Sequence, residues 1–167
     1  ENRADIGVIL LSHHTEPMIK KILSVKKLQF HPLIKAVPHA YFRECHPLAS
    51  QKSVALNDLL KYPYAAFGQE NNGLVDFAEE IALLDIKTLP QTIYVYDRAT
   101  FYNIVSHTDA FSIGSGIIPQ GFGDEGIVTL PISDHTEQMQ LGWIKRSDAS
   151  STESMERFIK FLEKEIL

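Results

Sequence analysis

Two periods of hydrophobic positions alternate along this chain of 167 residues. ADIGVILLS, residues 4–12, is a short apolar run typical of a buried strand, whereas EPMIKKILS, residues 16–24, repeats apolar side chains at helical spacing. The pattern predicts strands at 4–12, 28–35, 37–45, 64–68, 91–97, 109–119, 127–132 and 139–146. It predicts helices at 16–24, 56–61, 70–86, 99–107 and 150–167. Because strands and helices alternate, we expect an α/β fold.

Proline and a capping residue set some of these boundaries. Pro32 and Pro38 prevent one long helix between residues 28 and 45, because proline lacks the amide hydrogen that a helix interior needs. Asp97 directly precedes the helix predicted at 99–107, where its carboxylate can accept from the first free amide groups.

Composition narrows the class of protein. Apolar residues make up 44% of the chain, which is enough for a core, and the formal net charge of -5 argues against direct nucleic-acid binding by this chain. The single cysteine excludes an internal disulfide and a cysteine-based zinc site. The sequence has no long apolar run that would cross a membrane and no signal-peptide pattern. We expect a cytoplasmic protein without a cofactor.

That cysteine, Cys45, stands beside His46, which raises the question of a catalytic pair. Neighbouring residues on a strand point to opposite faces, and a buried cysteine is usually a small hydrophobic side chain. The chain also lacks the GxSxG, P-loop and HExxH motifs. His13 and His14 lack metal-ligand spacing, and the glycines between 114 and 126 are better explained as turns than as a dinucleotide site. We therefore do not expect an enzyme.

Several short motifs carry information through their order. In chain order they are Asp5-Ile6-Gly7-Val8-Ile9, His46-Pro47-Leu48-Ala49, the spaced residues Val54, Leu56, Asp58 and Leu59, then Tyr62-Pro63, the segment 127–132 and the final helix. Each motif is weak alone, but together they span almost the whole chain. In this order they resemble the effector-binding domain of LysR-type transcriptional regulators. One departure lies at residues 107–109, where family members often have a Gly-x-Gly turn.

The resemblance implies a two-lobed fold of the type 2 periplasmic-binding-protein kind, with an effector bound in the cleft between the lobes. Residues 1–37 and 127–167 would form the first lobe, incomplete at its N-terminus, and residues 38–126 the second. The HPLA motif would be structural. The DNA-binding helix-turn-helix of the family is absent from this chain and would precede it, and a homodimer or homotetramer is implied.

Open α/β sheets bind ligands at the carboxyl ends of strands and at helix N-termini. The residues expected there are Leu10, Leu11, Ser12, Gly68, Gln69, Asn71, Asp97, Thr100 and Gly116. Other interpretations stay open: residues 68–71 can be a polar loop with a helix cap, and Asp97 can serve only as a cap. Arg98 can bind a carboxylate through two parallel hydrogen bonds, or it can be a solvated surface charge.

The sequence therefore predicts the sensory domain of a bacterial transcriptional regulator, which binds a small molecule and contacts DNA only through another domain. The net charge of -5 agrees with this role, because the DNA contacts would lie in the other domain. Two alternatives remain open at the level of sequence: a stand-alone solute-binding protein with the same lobes, and a small α/β enzyme.

Overall fold

The computed structural model describes residues 4–13, 15–68, 89, 91–118, 126–135 and 138–166. Its strands are β1 (Ile6–Leu11), β2 (Leu28–Ala36), β3 (His39–Arg43), β4 (Tyr64–Phe67), β5 (Thr92–Val95), β6 (Ser112–Gly114), β7 (Ile127–Pro131) and β8 (Met139–Arg146). Its helices are α1 (Glu16–Val25), α2 (Leu56–Leu59), α3 (Arg98–His107) and α4 (Glu153–Ile166). The helix predicted at 70–86 lies outside the described residues.

The chain divides into two compact units. Unit 1 comprises Glu1–Ala36 and Gln138–Leu167, and unit 2 comprises Val37–Glu137. The sequence interpretation assigned residues 127–167 to the first lobe, but β7 belongs to unit 2 because it pairs with β3 along its whole length. The second boundary therefore lies near residue 137, rather than at residue 126.

Unit 1 is built on an antiparallel sheet in which β8 is the central strand, between β1 and β2. Alternate residues of β1 face α1, where Leu11 packs with Ile19 and Leu23. Burial of this apolar stripe is the main contribution to holding α1 on the sheet. The register of β2 shifts between Pro32 and Ile34, since proline has no amide hydrogen to continue the ladder.

The final helix buries less aromatic surface than its sequence predicts. Trp143 is only 8% exposed, as expected for a core residue, but Phe158 and Phe161 are 42% and 61% exposed. At about 100° per residue they lie to one side of Met155, the buried position of α4 at 7% exposure. The apolar stripe of this helix predicts that both phenylalanines lie in the core at least in part, whereas both are exposed in the structure, Phe161 more than Phe158.

Unit 2 combines antiparallel and parallel pairing. β3 pairs antiparallel with β6 and β7, and β4 pairs in parallel with β5. A parallel bridge between Tyr64 in β4 and Phe111, directly before β6, connects the two groups. The described strands therefore follow the order β5-β4-β6-β3-β7. Helix α3 packs on one face through Phe101 and Val105, against Ala65 and Val95.

This topology places two groups of residues at opposite edges of the unit 2 sheet. The carboxyl ends of β4, β5 and β6 meet the amino end of β3 at one edge, because β3 is antiparallel to β6. We call this the Gly116 edge; its residues are His39, Gly68, Asp97, Arg98 and Gly116. The opposite edge, at the carboxyl end of β3, is the His46 edge; its residues are Arg43, Cys45, His46, Leu48 and Asp109.

Candidate functional site

The unit 1 residues expected at a ligand site have structural partners of their own. Leu11 is 2% exposed and packs with α1, and Leu10 lies opposite Leu141 of β8. Ser12 is 6% exposed, and its Oγ lies 3.3 Å from the amide nitrogen of Thr15, from which it accepts a hydrogen bond. Leu11 therefore packs against α1, and Ser12 is bonded to the residue that precedes this helix. Ligand contact by these three residues stays a prediction.

Gly68 follows β4 and is fitted closely against an aromatic ring. Its amide donates to the carbonyl of Val95 at 2.7 Å, which continues the β4–β5 ladder by one residue. A Cβ atom at Gly68 would lie 2.5 Å from the ring of Tyr96, so a side chain does not fit without movement of that ring. Gln69 and Asn71 lie outside the described residues.

Asp97 caps α3, as its sequence position predicts. Its Oδ1 accepts a hydrogen bond from the amide of Thr100 at 2.8 Å, and this bond holds the pKa of Asp97 below its ordinary value. The amide of Thr100 is thereby occupied, so the first turn of α3 offers one donor fewer to an anion. Contact of Asp97 or Thr100 with a ligand stays a prediction.

Gly116 takes a left-handed conformation with φ of 80°, which glycine adopts readily. A Cβ atom there would lie 2.6 Å from the imidazole of His39, and one at Gly114 would lie 2.9 Å from the ring of Tyr41. The SIGSG sequence is thus explained by close packing of the β6 backbone on two rings of β3. This contact also places His39 at the same edge as Gly68 and Asp97.

His39 is the residue at this edge that the sequence interpretation missed. Its Nδ1 lies 2.8 Å from the carbonyl oxygen of Val37. A carbonyl only accepts, so Nδ1 carries a hydrogen, and in the neutral ring Nε2 then has a lone pair. The only sequence signal is a histidine directly after Pro38 at the start of a strand, which does not reveal its distant partner Gly116.

Arg98, the first residue of α3, lies over an aromatic stack. Its guanidinium carbon is 5.2 Å from the centre of the Phe67 ring, and Phe67 is stacked on Phe101 with a centroid distance of 4.7 Å. Arg98 is exposed and makes no ion pair with the residues that the structure describes. The Gly116 edge therefore carries a positioned cation and a hydrogen-bond acceptor.

The contacts of His46 show whether it can form a catalytic pair with Cys45. His46 is 4% exposed; its Nδ1 accepts from the amide of Leu48 at 3.1 Å, and its Nε2 donates to the carbonyl of Asp109 at 3.2 Å. Its ring stacks on Phe42 at 4.7 Å. Both ring nitrogens are used in structural bonds, so His46 has no nitrogen left to act as a base for Cys45, which is exposed.

Burial lowers the pKa of His46 from its ordinary value of 6.5, although its contacts with Asp109 oppose this shift. Arg43 donates to Oδ1 of Asp109 from both Nε and Nη2, at 3.0 and 2.7 Å. At residues 107–109, where the sequence departs from the resembled family, the hydroxyl of Thr108 donates to the carbonyl of Ile104 at 2.7 Å and accepts from the amide of Ala110 at 3.0 Å.

His31 is a partly buried histidine of unit 1. It stacks on Trp143 with a centroid distance of 3.8 Å, and its buried Nε2 has no hydrogen-bond partner among the described residues. Burial, followed by the charge of Lys145, lowers the pKa of His31 from 6.5. The neutral ring therefore belongs to the folded state.

The sequence of this chain matches a known family of domains. The profile of the LysR substrate binding domain matches residues 1–166. The chain belongs to this family. LysR substrate-binding domains are regulatory, ligand-binding domains and not enzymes, and they belong to DNA-binding regulators. No curated protein matches the chain.

Solved structures share the fold. The effector binding domain of QuiR in complex with shikimate is 20% identical, with a TM-score of 0.59 over 96% of this chain and 70% of that one. The regulatory domain of NMB2055 (MetR) from N. meningitidis has a TM-score of 0.63 at 13% identity, covering 98% and 70%. PA01 protein, a LysR family transcriptional regulator (putative) from Pseudomonas aeruginosa, has a TM-score of 0.62 at 18% identity, covering 97% and 53%. The predicted α/β, periplasmic-binding-protein-like fold is confirmed.

Two findings concern other classes of site. Among the described residues, no group of three or more His, Cys, Asp and Glu side chains could hold a metal ion. Within the same ranges, no helix is both long and apolar enough to cross a membrane.

Proposed function

We propose that this chain senses a small molecule for a bacterial LysR-type transcriptional regulator, with contacts to the ligand at the Gly116 edge of unit 2. The observation that carries the proposal is the family match over residues 1–166, joined to the polar groups that the strand ends bring together. Open α/β sheets bind ligands at such strand ends.

The ligand acts through a difference in affinity. A small molecule shifts a conformational equilibrium only as far as it binds one state better than the other. The two compact units give the chain parts whose arrangement a ligand can bias. No covalent step is required, and the ligand leaves unchanged.

The remaining parts of the proposal concern the whole regulator. DNA is bound through a separate helix-turn-helix domain, which agrees with the net charge of -5 on this chain. The regulator is a cytoplasmic homodimer or homotetramer. Such assembly agrees with the general tendency of soluble oligomers to be symmetric and built from identical chains.

The test combines ligand screening with transcription. Small molecules are first ranked by thermal shift, because a ligand that binds the folded state raises its stability. The gene that encodes the chain is then deleted, and transcript levels are measured with and without the ranked ligand. The proposal predicts transcripts that respond to the ligand only when the gene is present, with the ligand recovered intact after incubation with the protein. Transcript responses that are identical in both strains would contradict it, as would chemical turnover of the ligand.

A further inference from the structure

The arginines of the described residues differ in their partners. Arg43 is bound to Asp109 and Arg146 to Asp148, through Nη2 distances of 2.7 and 2.8 Å. Arg98 has no carboxylate partner among the described residues, although it stands at the edge where strand ends meet. Its guanidinium is therefore available to an anion from outside the chain.

Arg98 is also held in position. The guanidinium carbon lies over the Phe67 ring, 5.2 Å from its centre, and the Phe67 ring is itself stacked on that of Phe101, which is 9% exposed. A stacked guanidinium keeps the N–H groups at its rim free, and these match the two oxygens of a carboxylate. The stack reduces the freedom that binding would otherwise remove from a long side chain.

The neighbouring carboxylate does not satisfy this charge. Asp97 is directed to the amide of Thr100 at 2.8 Å and forms no ion pair with Arg98 within the part of the chain that the structure describes. The capped helix start therefore has one free amide fewer, and the guanidinium of Arg98 is an additional group that can bind an anion there.

A second polar group lies across the sheet. Phe67 on β4 and Tyr41 on β3 both pack on the α3 face, and His39 shares that face because it is two residues from Tyr41. β6 separates β4 from β3, so the two positions are about 10 Å apart at the strand spacing of a sheet. With Nδ1 bound to Val37, Nε2 of His39 can accept a hydrogen bond from a hydroxyl.

We propose that the ligand is a small ring carboxylate with a hydroxyl group, in which the carboxylate pairs with Arg98 and the hydroxyl donates to Nε2 of His39. This inference rests on the proposed function and names the class of ligand for the same site. A ring of six carbons between two hydrogen bonds spans a distance of this order.

The experiment uses 3-hydroxybenzoate as the probe and follows the side-chain Nε–H signals of the arginines by ¹H–¹⁵N NMR, with Kd from calorimetry. We expect a saturable shift of the Arg98 signal. Arg98→Gln should raise Kd about tenfold or more, and Arg98→Lys by less, because lysine keeps the charge but loses the planar fork. Arg157→Gln removes another exposed arginine, from α4, and should leave Kd within about twofold.

Analogues separate the two contacts. The neutral 3-hydroxybenzamide should bind wild type about tenfold more weakly than the acid, and this difference should disappear in Arg98→Gln. Benzoate, which lacks the hydroxyl, should bind wild type more weakly than 3-hydroxybenzoate does. The two ligands should bind His39→Asn with equal Kd. An unshifted Arg98 signal up to the solubility limit of the probe would overturn the inference, as would equal Kd values for wild type and Arg98→Gln. The transcription experiment does not use these probes, so its result can support the proposed function even when this inference fails.

Discussion

The two edges of the unit 2 sheet use the same residue types in opposite ways. At the His46 edge, Arg43 is paired with Asp109, and both nitrogens of His46 are bonded to the backbone. At the Gly116 edge, Arg98 stacks on a ring without an ion pair among the described residues, and His39 uses one nitrogen for Val37.

The difference lies in how much hydrogen-bonding capacity is left over. A buried polar group must be satisfied within the fold, since an unpaired one costs free energy. His46, at 4% exposure, obeys this requirement and ties the HPLA turn to the segment before β6. Residual capacity at the other edge is consistent with recognition of a ligand. The following predictions test whether this contrast is real.

The largest effect should come from removing the His46 ring. His46→Ala loses two hydrogen bonds and the stack on Phe42, and we expect a loss of about 3–4 kcal/mol in the free energy of unfolding. Urea denaturation measures it. Gln51→Ala, an exposed change nearby, should cost less than about 0.5 kcal/mol. Equal losses from the two changes would show that His46 does not hold this edge together.

The same ring should make stability depend on pH. The pKa of His46 is lowered by burial, so the unfolded chain binds a proton more readily than the folded one. The contribution of the neutral His46 ring to the free energy of unfolding is complete above pH 6.5, the ordinary pKa of histidine. It is lost as the pH falls below that value. His31 acts with the same sign. Unfolding curves for His46→Ala between pH 5 and 8 should be flatter than those of wild type; parallel curves would contradict the assignment.

Gly116→Ala should have the next largest effect. Alanine is strained at a φ of 80°, and its Cβ would lie 2.6 Å from the His39 ring. We expect the free energy of unfolding to fall by about 2 kcal/mol or more. Gly126→Ala is a matched control: its φ is 79°, but no atom of the described residues lies within 4 Å of the added Cβ. We expect about 1 kcal/mol there. Equal losses in thermal or urea unfolding would mean that packing on His39 contributes nothing.

A smaller loss is expected when Asp97 is changed. Asp97→Ala removes the acceptor for the Thr100 amide, whereas Asp97→Asn keeps an oxygen in the same place. Stability measured at pH 7 should fall in the order wild type, asparagine, alanine. The Asp97 pKa lies below 3.8, so its contribution is complete above that value and disappears as the pH falls below it. Identical stability of the alanine and asparagine variants would argue against a capping role.

The smallest effect should be that of the Arg43–Asp109 pair. Its side chains are 31% and 46% exposed, and solvent screens such pairs, so Arg43→Gln should cost about 0.5 kcal/mol. A double-mutant cycle with Asp109→Asn isolates the coupling, and added salt should reduce it. A coupling above about 2 kcal/mol would mean that the pair holds the fold, rather than merely satisfying its charges.

Local sequence signals predicted what depends on local structure. The Asp97 cap, the helix that follows it and the strand β1 need only neighbouring residues, and each was confirmed, although Leu11 is the one residue of β1 that is buried. The contact of Gly116 with His39 joins residues far apart in the chain, so no local pattern could reveal it. The same holds for β7, whose partner β3 fixed its place in unit 2.

The role of His46 also depends on contacts that a local sequence pattern does not reveal. Resemblance to a family indicated that the HPLA motif is structural, but the bonds to Leu48 and Asp109 emerged only from the fold. Likewise, Arg98 was left open between a ligand contact and a solvated charge, because its stacking on Phe67 depends on the parallel pairing of β4 and β5.

The most direct test of the contrast is a map of backbone amide shifts in ¹H–¹⁵N NMR spectra during titration with 3-hydroxybenzoate. We expect saturable shifts at Gly68, Arg98 and Gly116, with the signals of Leu48 and Asp109 unchanged. Shifts centred on Leu48 and Asp109, or none at the Gly116 edge, would contradict it.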